Sequence, residues 1–106
     1  MYSIKYSNQA VIDLEEAMAY IANESIINAM NYLSGYEEKI ELLRVNPYMG
    51  VTCKTKLINR DCRVLVYQSH IIIYKVDKDR SELFIIRIYH ASVDYINKLL
   101  LLEPSF

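Results

Sequence analysis

The sequence predicts an α+β fold: a helical hairpin packed on a small, mostly antiparallel, four-stranded sheet, in the order β-α-α-β-β-β-α. Three observations predict it. Apolar residues recur at steps of three and four from Ile26 to Leu43, the spacing of one helix face. Three β-prone runs, "CRVLVY", "SHIIIYKV" and "ELFIIRIY", follow one another across short polar gaps. The chain has 106 residues, 53% of them apolar, with only two Gly and two Pro. That composition fits a single domain over residues 1–106, mostly regular structure around a real core.

The elements follow in order. "YSIKY" alternates, with Tyr2, Ile4 and Tyr6 on one face, and reads as the first strand. Ser7 or Asn8 then offers an N-cap oxygen. Ala10, Leu14, Ala17 and Ile21 share one helix face, which predicts a helix over 8–23. "NESIIN" breaks it. Ile26, Ala29, Leu33, Tyr36, Ile40 and Leu43 predict a second helix over 26–45, antiparallel to the first because the join is short. Gly35 inside that helix costs about 1 kcal/mol against alanine, and a close approach of the two helices would explain it. In "NPYMG", Asn46 precedes Pro47 and is pushed out of the helical region. "VTCKTKLIN" reads as a basic loop with room for a short strand. Three strands follow, the last two joined by the polar, glycine-free "VDKDRS", which predicts a hairpin loop longer than two residues. "ASVDYINKLLLL" reads as a closing helix with Ser92 as N-cap.

Charge and cysteines narrow the function classes. Net charge is −1, which argues against a generic nucleic-acid binder. The distribution is uneven: residues 1–43 carry two basic and seven acidic side chains, and residues 44–106 carry ten basic and six acidic. Such asymmetry points either to a polyanionic partner or to a solvated loop beside an acidic helix pair. No apolar run approaches a membrane span, and "MYSIKYSNQ" lacks the pattern of a secretory signal. Cys53 and Cys62 form no CxxC and have no histidine at ligand spacing, so they read as reduced, structural thiols, consistent with the cytoplasm. Neither a metal nor another cofactor is expected.

Laid end to end, several stretches resemble the RelE/ParE superfamily of bacterial toxins from type II toxin–antitoxin pairs. They are "YSNQAVIDLEEAMAYIA", the turn "NPYMG", the strand pair "RVLVYQSHIIIYKVD" and the closing "IIRIYHASVDY". The resemblance covers nearly the whole chain and implies the fold read above, together with a small cognate antitoxin encoded alongside. It also implies one of two activities: ribosome-dependent mRNA cleavage, as in RelE-like members, or inhibition of DNA gyrase without nuclease chemistry, as in ParE-like members. The ribosome and mRNA, or gyrase, would be the further partner.

Metal-free RNA cleavage by a 2′-OH needs a base, an acid, and positive charge on the phosphorane-like transition state. Arginine suits the last role because its fork holds two phosphate oxygens, and histidine suits proton transfer because of its pKa near 6.5. The candidates are Arg63, Arg87, His90 and Tyr95 as a catalytic set, with Lys54, Lys56 and Arg60 contacting the RNA backbone. Each has a plainer reading. Arg63 would pair with a nearby acid such as Asp61. Arg87, on the strand face of Ile85 and Tyr89, would tie the sheet to an acid on a helix, since an unpaired buried charge is very costly. His90, on the side of Ile86 and Ile88, would be a hydrogen-bonded hinge, and Tyr95 would be core. His70 reads as structural.

Two departures from the family pattern bear on activity. "ASV" follows His90, where many members place arginines, and no carboxylate lies between Leu42 and Arg60, where the better-equipped nucleases keep a glutamate base. If the chain cuts RNA, His90 or a lysine must act as base. The basic run from Lys54 to Arg63 favours mRNA cleavage. The low net charge and thin acid–base set favour gyrase inhibition. The residues missing after His90 allow a degenerate toxin kept only as a binding partner.

Overall fold

The structure is a computed structural model and describes residues 1–53 and 61–92. A serine opens each helix. Ser7 follows strand β1 (Ser3–Tyr6) and caps helix α1 (Asn8–Glu24), its hydroxyl oxygen accepting from Ala10 N at 2.9 Å. Ser25 closes α1 and opens α2 (Ile26–Val45): its N–H donates to Ile21 O, and its side chain accepts from Asn28 N. One residue therefore makes the hairpin turn. Asn46 ends α2, as the following Pro47 requires.

Among the described residues the remaining elements are strands: β2 (Val51–Thr52), β3 (Arg63–Tyr67), β4 (His70–Asp77) and β5 (Glu82–His90). They form a five-stranded sheet in the order β1-β5-β4-β3-β2. β1 runs parallel to β5, and the other neighbours are antiparallel. The expected four strands become five because the short strand allowed for in the basic loop forms at Val51–Thr52 against β3. The β4–β5 connection spans residues 78–81, longer than two residues as expected. The predicted closing helix lies outside the described residues.

The hairpin covers one face of the sheet. Tyr32, Tyr36, Ile40 and Leu43 of α2 and Ala10 of α1 are buried against Leu65, Tyr67, Ile72, Tyr74, Leu83, Ile85 and Ile88. The predicted α2 stripe is met except at Ile26, which sits in the first turn at the hairpin tip and is exposed, while Tyr32 is buried. Gly35 is explained by the sheet rather than by α1. A Cβ there would strike the Tyr67 hydroxyl and approach its ring carbon to 3.3 Å; the same hydroxyl donates to Tyr32 O at 2.8 Å.

Side chains alternate along a strand, and the opposite face carries a second buried cluster of Val64, Ile71, Ile73, Ile86 and Tyr89 with both cysteines. Cys53 and Cys62 are joined by a disulfide. The expectation of two reduced thiols is thus corrected, and with it the compartment argument drawn from them. The cause is register: Thr52 pairs with Arg63, so the next positions outward bring Cys53 and Cys62 face to face. Strict alternation fails at one place. Ile73 pairs with Arg87 but Tyr74 pairs with Ile85, which leaves Ile86 as a β-bulge. Ile85 and Ile88 therefore both face the helices, and Ile86 and Tyr89 face away. The expected grouping of Ile85 with Tyr89, and of Ile86 with Ile88, does not hold. Among the described residues no helix is long and apolar enough to cross a membrane.

Candidate functional site

β1 ends at Tyr6, four residues along β5's partnered edge, so among the described residues the last part of β5 has no strand neighbour on that side. Asp13 of α1 takes the vacant place. Its carboxylate accepts from Ile88 N at 2.9 Å and from Arg87 Nε and Nη2 at 2.8 and 3.2 Å. Gln9 Nε2 donates to it at 3.2 Å. Burial alone would raise the Asp13 pKa; the bonds from Arg87, Ile88 and Gln9 outweigh it and hold the carboxyl below its usual value. The Arg87 guanidinium also lies 4.6 Å from the Tyr89 ring centroid. Of the two readings of Arg87, its geometry is that of a tie between the sheet and a helix acid.

Three residues beyond Arg87, β4–β5 register sets His90 opposite His70. The rings meet edge to face at 5.5 Å. His90 Nδ1 accepts from Ser92 N at 3.1 Å and lies 2.7 Å from Ser92 Oγ. A nitrogen that accepts carries no proton, so the neutral ring is protonated at Nε2. His70 is buried, with Nδ1 2.9 Å from Tyr32 Oη. Burial, and secondarily the neighbouring His90, push its pKa down. A cleft of about 550 Å³ opens between α1 and these strand ends, lined by both histidines, Arg87, Asp13, Glu16 and Tyr20.

Arg63 stands elsewhere. It pairs with Tyr74, four residues along β4 from His70, a separation of about 13 Å at the usual strand rise. Its Nη1 donates to Gly50 O at 2.7 Å and Tyr48 O at 3.3 Å, and the guanidinium stacks 4.9 Å from the Tyr48 ring. Tyr74 Oη accepts from Gly50 N and donates to Pro47 O. Together Arg63 and Tyr74 pin the "NPYMG" turn. The anticipated Arg63–Asp61 pair is not the contact found; Arg63 binds backbone carbonyls instead. Lys54, Lys56, Arg60 and Tyr95 lie outside the described residues.

The structure thus brings Arg87 and His90 to one cleft and leaves Arg63 on another part of the sheet. Of the cleft's polar members, sequence reasoning singled out only Arg87 and His90; His70 and Asp13 are the consequential omissions. His70 was discoverable only through its cross-strand register with His90. Asp13 lies off the apolar stripe of α1, and no local pattern marks it as the acid that Arg87 meets. Among the described residues the cleft has two imidazoles for proton transfer, but its one arginine is paired with Asp13, and Glu16 adds a further carboxylate. Negative charge on a phosphate would meet little compensation there.

Comparison with known proteins is consistent with this architecture. The family model for the ParE toxin of the type II toxin–antitoxin system parDE matches residues 4–95. Among solved structures, the chromosomal ParDE system of P. aeruginosa is similar with a TM-score of 0.66 and 19% identity, covering 85% of this chain and 96% of that one. The intact E. coli RelBE toxin–antitoxin complex is similar at TM-score 0.57 and 13% identity, covering 86% and 98%. The isolated E. coli RelE toxin gives 0.58 and 10%, covering 95% and 96%. A search of curated protein sequences found no significant match. The structural likenesses carry the fold, and the family match extends over most of the sequence. The chain belongs to the ParE toxin family and is a toxin of a type II toxin–antitoxin system.

Proposed function

We propose that this toxin acts as a ParE-like inhibitor of DNA gyrase, by binding and without cutting RNA. The observation that carries the reading is the Arg87–Asp13 pair. Among the described residues it occupies the one arginine lining the His70–His90 cleft, while Arg63, on the second strand across the sheet from β5, is held by backbone carbonyls of Tyr48 and Gly50. A nuclease needs cationic charge free to meet a phosphorane, and a gyrase inhibitor does not. The family match to a ParE toxin supports the same choice. This reading reverses the preference for mRNA cleavage that the basic run from Lys54 to Arg63 suggested. The cytoplasm follows as the place of action, and a small cognate antitoxin encoded alongside as the neutralising partner.

The reading is tested by inducing the toxin in cells without antitoxin. It predicts growth arrest with a DNA-damage response and full-length transcripts. Transcripts cut within codons, with no damage response, would replace it with the RelE-like reading. Harmless expression would mark a degenerate toxin.

A further inference from the structure

The disulfide lies away from the cleft, at the other edge of the sheet. β2 is two residues long and, among the described residues, pairs only with β3, too little pairing to hold an edge strand by itself. The two cysteines continue that ladder: Cys53 N donates to Cys62 O at 2.8 Å, and their Cα atoms are 5.2 Å apart, within the range a disulfide requires. Both side chains are buried in the cluster with Val64, Ile71, Ile73, Ile86 and Tyr89. The bond therefore ties a marginal edge to the core of the sheet's second face. In sequence it brackets the segment that carries Lys54, Lys56 and Arg60.

We propose that Cys53 and Cys62 form a redox-controlled staple on the β2 edge, so that the oxidised toxin is the more stable form. Closing the short loop between them removes conformational freedom from the unfolded chain. The buried sulfurs become accessible when β2 opens locally, a low-cost event for an edge of two residues. Oxidation transfers two electrons from the two thiols to a small-molecule disulfide: the Cys53–Cys62 bond forms, the oxidant's S–S bond breaks, and the two protons end on its two thiols. A dithiol reverses the exchange. Cytoplasmic thiol pools keep most such pairs reduced, so the state of this pair reports the redox condition the toxin meets. The inference does not depend on which target the toxin inhibits.

The experiment uses the full-length toxin equilibrated with glutathione disulfide or with dithiothreitol. Each sample is then denatured and treated with iodoacetamide. The oxidised sample should take up no label and yield a disulfide-linked peptide pair containing Cys53 and Cys62, and the reduced one should take up two labels. Reduction should lower the thermal midpoint by roughly 10–20 °C, and C53S/C62S should melt like the reduced protein and ignore dithiothreitol. Two labelled thiols after oxidant treatment would overturn the proposal, as would equal midpoints for oxidised and reduced wild type. The wild-type comparison decides the matter even where the double variant fails to fold.

Discussion

Asp13→Asn isolates the contact on which the cleft is built. The substitution keeps the shape of the side chain and an oxygen for Ile88 N, but sets an amide against Arg87. The oxygen kept for Ile88 N is the one that Arg87 Nε also donates to at 2.8 Å, so that bond loses its charge assistance, and the 3.2 Å bond from Arg87 Nη2 is lost because the amide NH2 now faces it. Removing one partner of a buried pair costs about 3–5 kcal/mol. Asp13 is 7% exposed and Arg87 22%, so the freed guanidinium regains some water and the loss should fall at about 2–4 kcal/mol. For a domain of this size that lowers the melting midpoint by roughly 10–25 °C. Urea titrations of wild type and variant at pH 7 measure it as a fall in midpoint concentration at constant slope. The pH dependence supplies a second reading. The Asp13 pKa is lowered in the folded state, so its contribution is fully present above the unfolded value near 3.9 and is lost as pH falls through the lower, folded one. The gap between wild type and variant should therefore close at the acid end. Adding Arg87→Met to the variant should recover part of the loss, because no unpaired charge then remains. A cost under about 0.5 kcal/mol at pH 7 would refute the reasoning, as would a gap that stays constant into acid.

Other positions give independent tests. Gly35→Ala should destabilise the fold by about 1–3 kcal/mol despite alanine's better helix propensity, because the new Cβ meets the Tyr67 hydroxyl; combining it with Tyr67→Phe should relieve part of that loss in the same melts. Tyr74→Phe removes the acceptor of Gly50 N and the donor to Pro47 O and should cost about 1–3 kcal/mol in urea titrations. His70 has a lowered pKa from burial and then from His90, so the folded state favours the neutral ring. Stability should fall as pH drops below the unfolded value near 6.5, and His70→Gln should flatten that part of the stability–pH curve.

The parts of this fold that depend on near neighbours were legible in the sequence. Ser7 and the break before Ile26 mark both helix starts, and the three-and-four spacing of Ala29, Leu33, Tyr36, Ile40 and Leu43 marks the α2 face. What depended on distant register was not. The bulge at Ile86 changes which residues share a face, and no local pattern announces it. The disulfide needed the β2–β3 pairing to bring together residues nine apart. The sequence posed the choice for Arg87 correctly, between a phosphate and a helix acid, because burying a lone charge is untenable. It did not single out Asp13, whose role arises from β1 stopping at Tyr6, short of Ile88, whose N–H then donates to Asp13. His70 was read as structural, and its contacts to Tyr32 and His90 place it at the cleft as well.

The most direct test of the account is a supercoiling assay with purified gyrase and a titration of the full-length toxin, run beside ribosomes translating a defined message. The account predicts that supercoiling stops as toxin is added, that the cognate antitoxin restores it, and that the message stays intact at the same toxin concentrations. Normal supercoiling at excess toxin, with the message cut on the ribosome, would contradict it.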